Sequence, residues 1–388
     1  MEEVFGAVLS GNAVFFMDGY DRAMKISSKG YPGLDVSEAE TEKVLRGSKE
    51  GFCDSVKTNA ALVRKRIRDT RLKVEQQNIG VRSNTVVQLL YVEDLVHEEL
   101  LIAVKERLES FTVDGILDSG MLEQLTEEAW YSPFPQFQTT ERPDRAAQEL
   151  LNGKAVLLCD NSPVALVIPG AFNSFMESSE DWYNRFEMTS FLCVLRYLAM
   201  AVATLLPGLY LAVIRFHTQI LPANLILSFA QAREGVPFSS VVELVFLELS
   251  FELIREAGVR IPGTLGNAIG IVGGLIIGQA AVEANLVSPV VVIIVALTAL
   301  GSLAIPNEEF ASAFRLLKYG FLFLGGYLGI FGIVLGLYLT AAHLAGLFKF
   351  WCPISGTLCR KKRPGGNRRK NFAPAIPETE IPAVVCKR

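Results

Sequence analysis

The chain has 388 residues, of which 50% are hydrophobic and 20% are charged, and its formal net charge at pH 7 is −4. A general nucleic-acid-binding protein usually carries a basic face that neutralises phosphates, so this charge argues against nucleic acid as a partner. The mean hydropathy is positive, at +0.32, because apolar residues are concentrated in the second half of the sequence. The composition therefore predicts a soluble region followed by a membrane region.

Charged residues become sparse near residue 185, which divides the chain into three predicted parts. Residues 1–185 are predicted to form a soluble α+β or α/β region, with a subdivision near 130–145. Met1 is followed by two glutamates and not by a basic and then apolar leader, so we expect this region to be cytoplasmic. Residues 186–348 are predicted to form an all-α polytopic membrane domain, and 349–388 a basic cytoplasmic tail.

Within the soluble region, the spacing of apolar residues predicts a mixture of helices and strands. A basic amphipathic helix is expected over 38–72, either as a solvated face or as a surface for anionic lipid or an acidic partner. Further on, β-branched and apolar runs predict strands, and a turn containing Asp, Asn, Ser and Pro joins the last two into a hairpin. The predicted elements are strands over 85–91 and 111–117, a helix over 93–110, and a hairpin of 155–159 with 164–168.

Four segments have the length and apolarity to cross a bilayer, which requires about 20 helical residues. They are 191–214, 265–286, 287–305 and 319–348. A fifth segment, 241–254, is shorter and contains three glutamates, so it is re-entrant, interfacial or a polar-faced span. Basic residues closely follow the last span and predict a cytoplasmic C-terminus, which agrees with an even number of crossings.

The glutamates of the fifth segment are candidate ion-path residues, because a carboxylate in hydrocarbon is expensive and usually functional. Glu243, Glu248 and Glu252 are predicted to lie close to one face of a helix. The alternative is an interfacial helix with solvated acids, in which Glu252 pairs with Arg255 or Arg260. Glu283 is either a further polar site or an interfacial acid at the end of its span.

Two series of glycines recur every three or four residues and predict helix faces that allow close backbone approach. They are Gly270, Gly273, Gly274 and Gly278, and then Gly325, Gly329, Gly332 and Gly336. Their spacing does not distinguish packing within one chain from packing between subunits.

Catalytic motifs are absent from the sequence. It contains no GxSxG, HExxH or P-loop, and its three histidines are not paired with cysteines at a usable spacing. The sequence therefore predicts no enzyme activity, no cofactor and no metal site.

A set of local motifs gives the chain a resemblance to a known family. In the soluble half these are LRGSKEGF (45–52), followed by Asn59 and RKRIR (64–68), then SPFP (132–135), ERPD (141–144) and EDWY (180–183). In the membrane half they are REGVPF (233–238), ELIREAGVRIP (252–262) and IGIVGGLIIGQAAVEANLVSP (269–289). In order and spacing over 12–348, they resemble the A-subunit family of bacterial spore-germination receptors, often called the GerA type. Family members usually have a longer N-terminal region, so this chain is expected to be a shortened member.

The resemblance implies a subunit of a nutrient-sensing complex in the inner membrane of the spore. Its implied partners are a transporter-like B subunit, a lipoprotein C subunit, further copies of itself, membrane lipid and monovalent cations. The implied function is an oligomeric cation-conducting channel. A non-conducting scaffold or signalling subunit of the same complex is the alternative, and a secondary transporter is disfavoured because no internal repeat is visible.

Overall fold

A computed structural model describes residues 13–19, 24–26, 37–39, 41–259, 274 and 277–351. In the soluble region, one five-stranded antiparallel sheet has the strand order β3-β4-β6-β7-β5. Its strands are β3 (Leu72–Ile79), β4 (Thr85–Val92), β5 (Gln138–Thr140), β6 (Ala155–Cys159) and β7 (Ala165–Ile168). A separate two-stranded ribbon consists of β1 (Ala13–Phe15) and β2 (Met24–Ile26).

Helices cover both faces of the larger sheet. They are α1 (Val56–Arg66), α2 (Glu98–Glu109), α3 (Ser119–Thr126) and α4 (Pro143–Leu151), and a short helix, α5 (Phe172–Met176), follows the last strand. Residues of α1 and α4 pack with one face of β4 and β6, and residues of α2 and α3 pack with the other. The central strands are therefore buried on both sides, which explains their continuous apolar runs.

The antiparallel pairing of every strand in this sheet makes the region α+β, and the α/β alternative is wrong. The predicted strand over 85–91 and the hairpin of 155–159 with 164–168 match β4 and the β6–β7 pair. The predicted strand over 111–117 is wrong, since those residues have no strand pairing. The suggested subdivision near 130–145 falls inside the sheet, because β4 before it pairs with β6 after it.

The basic helix expected over 38–72 is much shorter in the structure. Only α1 is helical there, and the following residues enter β3. Lys65 and Arg66 at the end of α1 both bond to Glu50, while Arg71 bonds to Asp69 and Asp94. Much of the basic run is therefore neutralised within the domain, which favours the reading as a solvated face.

The second half of the chain is helical. Its helices are α6 (Phe186–Phe216), α7 (Ala223–Ala232), α8 (Ser240–Val259), α9 (Pro289–Leu303), α10 (Glu308–Leu328) and α11 (Ile330–Trp351), with a further helical stretch at 277–283. By length and apolarity, α6 and residues Ile330–Leu347 of α11 qualify as candidate membrane spans, while α7 and α9 are shorter apolar helices.

Contacts between these helices define their relative directions. Gly301, near the end of α9, lies against Ala199 of α6, and the start of α9 packs near Tyr210, so α6 and α9 are antiparallel. Gly325 of α10 lies against Gly208 of α6, and Gly329 lies against Phe216, so α6 and α10 run in the same direction. Because α11 then returns along α10, its C-terminal half lies at the end of the bundle that carries the soluble domain.

The predicted span over 319–348 is not one helix. It is divided at Gly329, whose φ of 65° ends α10 in a conformation that favours glycine. The chain reverses there, and Gly332 and Gly336 of α11 pack on Leu324 and Phe321 of α10. The sequence gives no sign of this reversal, because the residues on both sides of Gly329 are apolar and uncharged. Half of the predicted span over 265–286, including Gly270 and Gly273, lies outside the described residues, as does the tail from 352 onward.

The soluble domain and the helical bundle meet at an aromatic cluster. Phe134 and Phe175 of the domain pack against Phe310 and Phe314 of α10, with ring centroids 4.9–6.1 Å apart. Beside them, Arg196 of α6 forms a two-point ion pair with Asp181 at 2.5 and 3.0 Å. Phe134 of the motif SPFP, Asp181 of the motif EDWY and Phe175 therefore contribute contacts that hold the domain against the bundle.

An acidic group at this junction makes the stability depend on pH. Burial, together with the nearby charges of Glu309 and Glu127, raises the pKa of Glu123 from 4.5 to about 8. A carboxyl whose pKa is raised by folding holds its proton more tightly in the folded state, so stability falls as pH rises between these two values.

We expect Glu123→Gln to remove this pH dependence. The free energy of unfolding of the detergent-solubilised chain should fall by about 1.4 kcal/mol per pH unit between about pH 4.5 and about pH 8 in the wild type, and it should fall less in the variant. The exposed Glu99 of α2 provides the control substitution, Glu99→Gln. Parallel pH profiles for wild type and Glu123→Gln would contradict the assignment.

Candidate functional site: charged residues inside the helical bundle

The first glutamate of α8, Glu243, is fully buried and holds two parts of the bundle together. Arg233, from the motif REGVPF, donates to its Oε1 at 3.0 Å. The backbone N–H of Ser288 donates to its Oε2, also at 3.0 Å. Ser288 is the N-cap of α9, so the carboxylate lies at the positive end of that helix dipole. Glu243 thus links the loop before α8 to the start of α9.

The second glutamate, Glu248, forms a buried ion pair with Lys318 of α10. Its Oε2 is 2.5 Å from the Lys318 Nζ, and the two residues are 2% and 6% exposed. Its Oε1 accepts a hydrogen bond of 3.1 Å from Thr298 Oγ1 of α9. Glu248 therefore joins α8, α9 and α10 at a single point in an otherwise apolar interior.

The third glutamate, Glu252, lies nearer the soluble domain and is less buried. Its Oε1 is 3.8 Å from Arg315 of α10, which also lies 3.4 Å from Glu308. Arg255 is one of the two partners suggested for Glu252. In the structure its guanidinium donates a hydrogen bond of 2.7 Å to Ser302 Oγ of α9. Arg260, the other suggested partner, lies outside the described residues.

Glu283 does not join this group. It is exposed and accepts a hydrogen bond of 3.2 Å from Gln279, one turn earlier in the same helix. This position fits its reading as an acid at the end of a span.

Together these contacts form a polar track along α8. It extends from Glu243 to Arg255, which is about 18 Å of helix at 1.5 Å per residue. Both fully buried acids in it have a basic partner, so the arrangement satisfies the requirement that charges in a low-dielectric interior be paired. In this conformation the track offers no unpaired carboxylate to a cation at Glu243 or Glu248.

The described members of the two glycine series all make contacts within the chain. Added Cβ atoms at Gly274 and Gly278 would lie 2.8 Å from Phe251 and 3.2 Å from Val292. Gly325 lies directly on the Gly208 carbonyl of α6, closer than any side chain allows. Gly329 forms the turn between α10 and α11, and Gly332 and Gly336 line the contact between them.

Sequence reasoning missed several members of the site. These are Arg233, Ser288, Thr298, Arg315 and Lys318, together with Gly208 in the helix contact. Lys318 and Arg315 were missed because α10 begins eleven residues before residue 319, where the predicted span begins. Both residues therefore lay outside the predicted span. A charge count over the true bounds of α10 would have included Arg315 and Lys318 as candidate partners for the glutamates of α8.

Comparison with known proteins identifies the family. Residues 1–355 match the family described as Bacillus/Clostridium GerA spore germination protein. The chain is 41% identical over 363 residues to the uncharacterized membrane protein YfkQ of Bacillus subtilis, covering 94% of this chain and 71% of that protein. It is 39% identical to spore germination protein KA of B. subtilis, covering 92% of this chain and 66% of that protein. It is 37% identical to spore germination protein A1 of B. subtilis, covering 89% of this chain and 72% of that protein.

Among solved structures, the N-terminal domain of the A subunit of the Bacillus megaterium spore germinant receptor GerK3 is similar. It is 36% identical, with 31% of this chain and 97% of that chain covered and a TM-score of 0.27. The chain spans about two thirds to three quarters of the length of the curated relatives named above. With a family match over nearly its whole length and relatives of about 40% identity, the chain belongs to the GerA family of spore germination proteins, the A-subunit family of germinant receptors.

Proposed function

We propose that this chain is a membrane subunit of a nutrient-responsive spore germination receptor and that it oligomerises to form a cation-conducting channel. The observation that carries the proposal is the polar track of α8, whose buried acids Glu243 and Glu248 lie inside an apolar helical bundle. Buried carboxylates are costly there, and acidic groups are what cation pathways employ. Its location would be the inner membrane of the spore, with the soluble domain and the C-terminus on the cytoplasmic side.

In this proposal, the described conformation is a closed state. Glu248 is neutralised by Lys318, and Glu243 by Arg233 and the N-terminus of α9. Opening would require the Glu248–Lys318 pair to separate, because only then does the Glu248 carboxylate become available to a passing cation. Transporter-like B and lipoprotein C subunits, the expected partners, would bias this equilibrium when a nutrient binds.

A non-conducting scaffold of the same complex is the second candidate. The complete pairing of the buried acids favours it, because such pairs also fix the register of packed helices without any flux. The two functions predict the same packing but different behaviour of Glu248, which makes them separable by measurement.

The test is potassium flux from vesicles that contain the chain together with its B and C subunits. For a channel we expect Lys318→Gln, which releases Glu248, to raise basal flux, and Glu248→Gln to lower it. Glu187→Gln is the control, since Glu187 is exposed in the first turn of α6. Equal absence of flux from all variants, in oligomers of confirmed mass, would overturn the channel and support the scaffold.

A further inference from the structure

The loop between α3 and β5 touches both the soluble domain and α11. Ser132 Oγ lies 2.9 Å from Nε2 of His343, in the C-terminal half of α11. Two residues later, Phe134 is 2% exposed and packs against Phe310 and Phe314. This segment is therefore fixed against the bundle from one side.

Two aromatic residues of the same loop are largely exposed. Trp130 is 83% exposed and Tyr131 is 69% exposed, and their rings meet edge to face with centroids 6.4 Å apart. The Tyr131 ring is also 6.3 Å from His343, which places the pair beside the surface of α11. Because the loop is anchored and these two large aromatic side chains are exposed, a considerable apolar area stays uncovered within the monomer.

The neighbouring surface of α11 is apolar and exposed along its length. Tyr338 and Leu339 are more than half exposed, as are Val334 and Phe331 further from the domain. Leu339 lies four residues before His343, about 6 Å along the helix axis. The aromatic pair thus continues the exposed stripe of α11 at the end nearest the soluble domain.

We propose that Trp130 and Tyr131 insert into the headgroup region of the bilayer and set the depth of the soluble domain against the membrane. This inference rests on the proposed membrane location of α11. Trp and Tyr favour that region because each combines an apolar ring with a polar group that can stay hydrated. The adjacent Glu127 and Glu128 make the loop acidic, which fits zwitterionic headgroups better than anionic ones.

The test is depth-dependent quenching of Trp130 fluorescence in the full chain, reconstituted in phosphatidylcholine vesicles. Trp182→Phe and Trp351→Phe leave Trp130 as the single tryptophan. Nitroxide labels are placed on the headgroup or in the middle of the acyl chain, and iodide is the aqueous quencher. We expect the headgroup label to remove more than half of the emission, and the mid-chain label and iodide to remove much less.

Two reporters in a background without Trp130 calibrate the result. Val334→Trp lies nine residues before His343, about 13 Å deeper along α11, so the mid-chain label should quench it. Val81→Trp lies at the tip of the β3–β4 hairpin, where Val81 is 77% exposed, so iodide should quench it. These positions bracket the expected depth of Trp130.

The outcomes separate the anchor from the membrane location. Lipid quenching at position 334 with iodide quenching of Trp130 would overturn the anchor and leave the membrane location standing. Protection of Trp130 from iodide without lipid quenching would overturn it in favour of a protein partner. Absence of lipid quenching at position 334 would overturn both. If the single-tryptophan variant misfolds, Trp130→Phe is made in the wild-type chain instead. This substitution must then abolish most of the emission that the headgroup label quenches. If it does not, the proposed insertion of Trp130 is overturned.

Discussion

Replacing Lys318 by methionine is expected to destabilise the protein by about 3–5 kcal/mol, because it leaves the Glu248 carboxylate buried without a cationic partner. Glu248→Leu alone should also be destabilising, since it strands the Lys318 ammonium in the same apolar interior. The double variant Glu248→Leu with Lys318→Met removes both charges and should recover most of the loss, because apolar replacements of a buried pair are often neutral or stabilising.

The measurement is a double-mutant cycle on the midpoint and free energy of unfolding of the detergent-solubilised chain. Coupling between residues in direct contact is expected to reach about 0.5–3 kcal/mol. Glu187→Gln on the surface of α6 supplies the control for loss of one carboxylate, and it should change little. Additive effects of the two substitutions would show that the pair does not exist in the folded protein.

The contact of α6 with α10 is the second place where a small change should have a large effect. Gly325→Ala directs a methyl group onto the Gly208 carbonyl, and backbone cannot move aside as a side chain would. Forcing the helices apart should cost about 1–3 kcal/mol, in the range of overpacking a well-packed interior.

Gly320 provides the matched control on the same helix. An added Cβ there meets nothing within 4 Å, so Gly320→Ala should be neutral or slightly stabilising, by up to about 1 kcal/mol from helix propensity. Thermal unfolding of the two variants under identical detergent conditions compares the same substitution in two environments. Equal shifts for both would mean that α6 and α10 do not meet at Gly208 and Gly325.

Contacts inside the helical bundle join residues that are far apart in the sequence. Glu248, Thr298 and Lys318 come from three helices that are distant in sequence, and none of these residues forms part of a recognisable local pattern with the others. The domain junction, by contrast, uses the motifs SPFP and EDWY, whose residues are consecutive. Changes in the bundle therefore remove contacts on which several helices depend at once.

The sequence alone determined the order of soluble and apolar regions, because charge density follows solvent exposure directly. It also determined β4 and the β6–β7 hairpin, since a continuous apolar run bounded by turn residues leaves few other folds. The family followed from motif order. The sequence also singled out Glu243, Glu248 and Glu252 as candidate ion-path residues, because an acid in an apolar helix must be accommodated by the fold, and the structure buries the first two.

Only the tertiary structure decided which groups these acids meet. Helical periodicity places side chains on faces of their own helix, but the partners of Glu248 depend on how α8, α9 and α10 pack. It also decided the reversal at Gly329, since a glycine in an apolar run is compatible with both a continuous helix and a turn. The reason is the same in both cases: local sequence specifies propensities, whereas contacts between distant residues are fixed by the packing of the whole bundle.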